Sequence, residues 1–222
     1  PVMNAPLNVP SDAIYYQPTS GRADLKEALN SYIQYLCDTP PLRTDNLIVG
    51  AGCNAVLENL CFCLADAGDT VLIPTPYYAA FEFDLVARAN LQVAPVETAS
   101  FHPEATSNDA REAYYPNVAA LDAAYERCQD KTSRPPKILL ISHPMNPLGI
   151  CYPAETVLEC IDWCREKRVH LISDEIYAGS VYGESFDSVL KLTKGNLGNF
   201  VHWVYALSKD FALSGRRVGA AY

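Results

Sequence analysis

Residues 137–177 read KILLISHPMNPLGICYPAETVLECIDWCREKRVHLISDEIY, and this stretch decides the fold. Lys137–Ser142 is a continuous apolar strand, His143–Pro153 a loop, Ala154–Lys167 a helix and Val169–Ser173 a second apolar strand. Strands that are apolar without alternation belong in a parallel sheet covered by helices on both faces. In such a sheet ligands bind beyond the carboxyl ends of the strands. The residues just after each strand therefore carry the functional information.

Outward from this unit the same alternation repeats. Residues 1–23 are rich in proline and turn formers. From Asp24, the residues Leu25, Ala28, Leu29, Tyr32, Ile33 and Leu36 fall at helical spacing. Pro40-Pro41 is expected to stop that helix. Leu47–Val49 reads as a strand running into Gly50-Ala51-Gly52, and Ala55–Leu64 as a helix apolar nearly all round, hence buried. Thr70–Ile73 is a strand ending at Pro74-Thr75-Pro76, Tyr78–Ala89 is helical, and Leu91–Val96 is a strand. Residues 97–116 form a long polar loop. Asn117–Cys128 is a helix with Val118, Leu121 and Tyr125 on one face. Phe200–Tyr205 is a further strand, followed by a loop with Ser208-Lys209 and by extended chain over Arg217–Tyr222. The organisation is an N-terminal segment, 1–23, and one α/β domain, 24–222, with no internal repeat.

Composition bounds the function. With 222 residues, 49% hydrophobic and 19% charged, the chain is one large domain or one domain plus part of a second. It buries roughly 70% of its unfolded surface. No apolar run approaches the ~18 residues of a membrane span; Val71–Ile73 and Ile138–Ile141 stop at prolines or polar residues. A net charge of −9, with Arg216-Arg217 the only adjacent arginines, argues against nucleic acid and anionic membrane as partners. Among the cysteines, Cys61/Cys63 and Cys160/Cys164 lack the C-x₂-C zinc spacing. His102, His143, His170 and His202 are scattered, so no metal site is expected. The cysteines read as free thiols of a reducing compartment, which places the protein in the cytoplasm. Opening at Pro1 and closing at Tyr222 inside an extended stretch, the chain reads as a piece of a longer one.

The strand ends carry Gly50–Asn54, Pro74–Tyr78, His143–Gly149, Asp174–Tyr177 and Ala206–Lys209, which should converge. V-G-A-G-C-N-A (49–55) fits a G-x-G-x-x-A dinucleotide fingerprint. The acidic residue that fingerprint needs after the next strand is missing, because Asp66 and Asp69 precede that strand. Two readings remain: a plain turn, or a helix N-terminus whose free N–H groups, with the Asn54 side chain as a further donor, cradle a phosphate. Asp174 at the mouth of a buried sheet calls for a cationic partner. Asn146 in its Pro-rich turn and Lys209 in its loop are individually ordinary. Together, a lysine, an aspartate, an asparagine, tyrosines and a phosphate cradle at one sheet edge are the groups that pyridoxal phosphate requires.

At this point the chain resembles the fold-type I, class I/II aminotransferases. Y-A-L-S-K-D-F-A-L-S-G-R-R-V-G (205–219) is similar to their Schiff-base lysine signature, and S-D-E-I-Y (173–177), N-P-L-G (146–149) and P-T-P-Y-Y (74–78) occur in the family's order. The resemblance spans residues 12–222. It implies a large pyridoxal-phosphate-binding domain, incomplete at its C-terminal end. The small domain, with the arginine that grips the substrate carboxylate, is largely absent. Lys209 would bind the cofactor covalently and then move the proton at the substrate Cα, and Asp174 would pair with the pyridinium nitrogen. Asn146 and Tyr177 would hydrogen-bond the cofactor's phenolic oxygen. Tyr78 would stack on the ring, with Tyr77 a lesser candidate. Cys53, Asn54 and Arg217 would hold the phosphate. Tyr16 would reach the partner subunit's phosphate, making a homodimer. One departure is Ala206, where the family often has a phosphate-binding Ser or Thr. The missing hydrogen bond is worth ~1.5–3 kcal/mol, unless Ser208 substitutes.

P-T-P-Y-Y-x-x-F-x-x-D-L and L-S-K-D-F-x-L-S-G-x-R-V-G look closest to the ACC synthase branch and its aminotransferase-like relatives. That branch carries a tyrosine two residues before the glycine matching Gly21; here Thr19 stands there, and Tyr16 follows the transaminase pattern. The implied activity is amino transfer between amino acids and 2-oxo acids. ACC synthase action on S-adenosylmethionine is the runner-up, and a non-catalytic cofactor-binding module or fragment the third reading.

Overall fold

The computed structural model describes residues 9–101 and 110–222. The start of the N-terminal segment and the middle of the polar loop, with His102, lie outside the described residues. In chain order the elements are α1 (Ala23–Cys37), β1 (Ile48–Gly50), α2 (Cys53–Leu64), β2 (Thr70–Pro74), α3 (Phe81–Asp84), β3 (Gln92–Val96) and α4 (Val118–Thr132). They continue with β4 (Ile138–Ser142), α5 (Ala154–Lys167), β5 (His170–Asp174), α6 (Val189–Leu192), β6 (Val201–Ala206) and β7 (Gly219–Ala221). One sheet takes them in the order β1-β7-β6-β5-β4-β2-β3.

The pairs from β6 through β3 are parallel; β7 runs antiparallel to both β6 and β1. The sheet is thus parallel except for β7, and β1, β2, β4, β5 and β6 end at one edge. Alternate residues of the central strands feed two cores. Leu139, Ile141, Leu171, Trp203 and Tyr205 pack on the side of α1, α4 and α5. Ile138, Leu140, Ile172, Val204 and Ala206 pack with α2 residues Val56 and Leu57 and with Phe81 of α3. Burial on both faces is why these strands read as unbroken apolar runs.

Several expected elements differ. The helix expected over Tyr78–Ala89 shrinks to α3 followed by turns that close at Asn90, whose φ is +52°. The apolar spacing there was real, since Phe81, Leu85 and Ala89 are all buried. α1 stops at Cys37 before the prolines, because Asp38 adopts a left-handed C-cap. α2 begins two residues earlier than expected and is not buried all round: Phe62 is 58% exposed and Cys63 is exposed, since the helix covers the sheet with one face only. Residues 97–116 contain short 3₁₀ turns at Ala99–Phe101 and Glu112–Tyr114. α6, capped by the Ser188 hydroxyl accepting from the Leu190 N–H, has no counterpart in the sequence reading. All eight cysteines are free thiols, and no helix among the described residues is long and apolar enough to cross a membrane.

Candidate active site

The loops after β1, β2, β4, β5 and β6 meet in one cleft. Its lining includes Cys53, Asn54, Tyr78, Asn146, Asp174, Tyr177, Lys209 and Arg217, every site residue assigned from the sequence except Tyr16 and the lesser candidate Tyr77. Tyr16 stands in the N-terminal segment outside the cleft, with its side chain fully exposed.

One end of the cleft is an anion cradle. Gly52, with φ +94°, turns the chain into α2, whose N-terminus has no side-chain cap. Uncapped N–H groups and the helix dipole favour a negative charge there. A Cβ on Gly52 would collide with the Arg217 guanidinium, so the glycine is what lets that cation lie against the helix start. Arg217 is itself left-handed (φ +53°), and its Nη1 donates to the Ser214 carbonyl at 3.1 Å. The cradle differs from expectation in its side chains. The Asn54 amide donates to Asp84 Oδ1 at 2.8 Å, so its expected side-chain donor is already engaged. The Cys53 thiol points to Asp174 Oδ1 at 3.6 Å, leaving its backbone N–H as the group that could meet an anion.

The other end is Asp174, the last residue of β5. Its carboxylate accepts from the Ile176 N–H at 3.2 Å and from the Cys53 thiol. Burial raises its pKa to about 6; those two donors and the charge of Lys209 oppose the shift, while Asp84 adds to it. The carboxylate is thus buried beside a lysine but, among the described residues, without a direct cationic contact, which costs it ionisation. Lys209 Nζ lies 5.5 Å from the centre of the Tyr177 ring. Asn146 is presented by a turn closed by Met145 N–H to the Ile150 carbonyl (2.8 Å) and Gly149 N–H to the Met145 carbonyl (2.7 Å). Tyr78 packs edge-on against Phe81 at 5.4 Å and stays 43% exposed toward the cleft. Tyr77 instead donates to Glu82 at 2.6 Å and does not line the cleft.

Some lining residues went unremarked in the sequence. Asp84 stands in the F-x-x-D-L part of the branch motif without a role assigned to it, and Ser142 ends β4. Ser214 lies three residues before Arg217, a spacing that could have flagged it. Ala206 is buried in β6 and offers no hydroxyl, whereas Ser208 does line the cleft.

A parallel sheet whose carboxyl edge gathers an amine, a buried carboxylate, an asparagine, tyrosines and an uncapped helix N-terminus is an α/β domain with the groups that could hold an anionic, ring-bearing cofactor. The family Aminotransferase class I and II matches residues 9–222, and the chain belongs to it. Members of this family depend on pyridoxal phosphate. The chain is 41% identical over 186 residues to 1-aminocyclopropane-1-carboxylate synthase 1 of Oryza sativa subsp. indica, covering 80% of this chain and 36% of that protein. It is 34% identical over 218 residues to the probable aminotransferase ACS12 of Arabidopsis thaliana, covering 96% of this chain and 41% of that one. Aspartate aminotransferase from Thermus thermophilus with maleate superposes with a TM-score of 0.75 at 27% identity, covering 93% of this chain and 48% of that chain. The chain thus spans less than half the length of each of these relatives.

Proposed function

We propose that the cleft holds pyridoxal 5′-phosphate and that the protein is an amino-acid aminotransferase working between amino acids and 2-oxo acids. The observation that carries this reading is the pairing of a buried, cation-poor Asp174 with an uncapped, Arg217-flanked helix N-terminus, with Lys209 lining the same cleft. That donor set fits a molecule with a protonated ring nitrogen and a phosphate. When bound, the cofactor supplies an electron sink that makes the substrate Cα–H acidic.

The chain's own residues then divide the work. Lys209 would hold the cofactor through its side-chain nitrogen, and the amine, once displaced by the substrate's own amine, would take the proton from Cα and pass it to the cofactor rather than back to Cα, as amino transfer requires. Asp174, ionised by its new cationic neighbour, keeps the ring nitrogen protonated. The Asn146 amide and Tyr177 hydroxyl would donate to the phenolic oxygen, and Tyr78 would cover the ring. Arg217 and the backbone N–H groups of Cys53 and Asn54 hold the phosphate. Residues 24–222 would form the cofactor domain, and the described part of the N-terminal segment, residues 9–23, would lie near the active site and dimer interface. Tyr16, exposed here, donates to the phosphate of a second copy, which makes the active unit a homodimer. Borohydride reduction of the cofactor-loaded protein followed by peptide mapping tests the reading. Label on Lys209, absent from Lys209→Ala, is expected; no label on folded protein overturns it.

A second reading is favoured by the synthase among the named relatives: 1-aminocyclopropane-1-carboxylate synthase acting on S-adenosylmethionine. Both reactions begin with the same proton removal at Cα. Incubation with S-adenosylmethionine and no oxo acid separates them. Rapid release of methylthioadenosine would put the synthase first, whereas formation of a new amino acid from an added 2-oxo acid keeps the transaminase.

A further inference from the structure

Asp210 follows Lys209 in sequence but is not among the cleft-lining residues. Its carboxylate is the meeting point of two loops. Oδ2 accepts the Gly179 N–H at 2.8 Å and the Tyr205 hydroxyl at 2.7 Å, and Oδ1 accepts the Ser180 hydroxyl at 2.5 Å. Gly179 and Ser180 sit in the 3₁₀ turn Ala178–Ser180, directly after Tyr177. A Cβ on Gly179 would come within 2.6 Å of Asp210 Oδ2, so the approach is as close as a glycine permits. The clamp is braced from behind. Tyr205 stacks on Trp203 at 5.7 Å, its hydroxyl lies 3.4 Å from that of Tyr32, and Tyr32 meets the edge of Phe211 at 5.0 Å.

We propose that Asp210 is a positioning residue that ties the Lys209 loop to the Tyr177 loop and so fixes the amine of Lys209 relative to the Tyr177 hydroxyl. Three donors converging on two oxygens suit a carboxylate, which only accepts, and two of them share Oδ2. Charge-assisted bonds of this kind are short and geometrically demanding. Lys209 and Tyr177 lie on loops from adjacent strands, and Asp210 supplies side-chain hydrogen bonds between those loops. The inference rests on the reading that Lys209 carries the cofactor and Tyr177 contacts it.

The test uses the full-length protein with Asp210→Ala, Asp210→Asn and Gly179→Ala. In cofactor-free protein, Asp210→Ala should speed hydrogen exchange at the Gly179 amide about tenfold or more, because the bond that protects it is gone. In loaded protein, kcat should fall roughly 10- to 100-fold with KM nearly unchanged, as expected when a reacting group is misplaced by a fraction of an ångström or more. The pH midpoint of the cofactor's visible absorption should move by at least about half a unit, a readout that loss of stability alone would leave in place. Asp210→Asn should restore most of this, since its oxygen still accepts from Gly179 and Tyr205 while its NH₂ can donate to Ser180. Gly179→Ala, which pushes on the clamp from the other side, should reproduce the alanine effect even if Asp210→Ala folds poorly. A labelled Lys209 with unchanged midpoint and kcat in Asp210→Ala and Gly179→Ala overturns the proposal alone. A wild-type protein without cofactor on Lys209 overturns the site reading and the proposal with it.

Discussion

Asp174 and Glu175 are neighbours, both buried and both carboxylates, yet they face opposite sides of the sheet and live in different chemistry. Glu175 turns toward the α6 side, where it accepts from the Ser173 hydroxyl (3.0 Å), the Val189 N–H at the start of α6 (2.9 Å) and the Trp203 indole (2.9 Å). Asp174 turns into the cleft and has one backbone donor and a thiol. Burial raises both, Asp174 to about 6 and Glu175 to about 7, the latter in spite of its donors. Glu175 is a finished structural knot; Asp174 is a charge kept short of partners. A buried polar group without partners destabilises the fold unless something binds there. The asymmetry across one peptide bond therefore separates what holds the domain from what the domain holds.

The largest effect expected from this contrast is Glu175→Ala. It orphans the indole, the Val189 N–H and the Ser173 hydroxyl at once, at about 1–3 kcal/mol for each buried donor left unpaired, and should cost about 4 kcal/mol or more. Urea unfolding of the cofactor-free protein measures it. If Asp174→Ala proves as destabilising as Glu175→Ala, the division between structure and site collapses.

Asp174→Asn comes next, and its sign is opposite. In the folded chain Asp174 titrates near 6 rather than 3.8, so the native state binds more protons than the unfolded state between those values. Native stability therefore falls as pH rises through that window and stays reduced above it. An uncharged asparagine escapes this penalty. The variant should match wild type below about pH 4 and gain up to roughly 3 kcal/mol above pH 6, while its affinity for the cofactor drops roughly 100-fold. Thermal melts from pH 4 to 8 give the first quantity and equilibrium dialysis the second. A variant that loses affinity without gaining stability would show that Asp174 is comfortable without a ligand.

Arg217→Ala probes the positive pole of the same cleft. Losing a charge-assisted contact to a phosphate should weaken cofactor binding by roughly 10- to 100-fold. Stability should change little, since Arg217 makes one hydrogen bond to the Ser214 carbonyl near the surface. Fluorescence titration with pyridoxal phosphate reads the loss. An unchanged affinity would mean that the helix N-terminus holds the phosphate alone.

Much of this arrangement was legible in the sequence because it follows local rules. Lys137–Ser142 and Val169–Ser173 read as buried strands, and what followed them was expected to face the ligand edge. What was not legible depends on contacts between distant residues. Asn54 is taken by Asp84, thirty residues on, and Arg217 occupies the space of the missing Gly52 side chain. Asp210 finds Gly179 and Ser180 on the neighbouring strand's loop. No periodicity reports such pairs. The same holds for Phe62, which an apolar helix pattern assigns to the core although α2 has a sheet on one side only. Glu175 sat inside the quoted S-D-E-I-Y motif, yet its role waits on Trp203 and Val189, which the sequence holds apart.

Cys53→Ala carries the smallest expected effect and the finest test of the contrast. The thiol is one of the two hydrogen-bond donors to Asp174, and at 3.6 Å to a sulfur it is a weak one. Burial holds the thiol well above its ordinary range, so it stays protonated and can only donate to the carboxylate. Removing it leaves the Ile176 N–H alone and should raise the Asp174 titration by less than about one pH unit, visible in carboxyl NMR of the cofactor-free protein. Stability at neutral pH should fall by about 0.5–1.5 kcal/mol, the net worth of one ordinary hydrogen bond. Affinity for the cofactor should stay within about threefold, because in the proposed reading the phosphate meets the backbone N–H of this residue and not its sulfur. A loss as large as that of Arg217→Ala would place the sulfur in the anion cradle and make Cys53 part of both poles of the cleft.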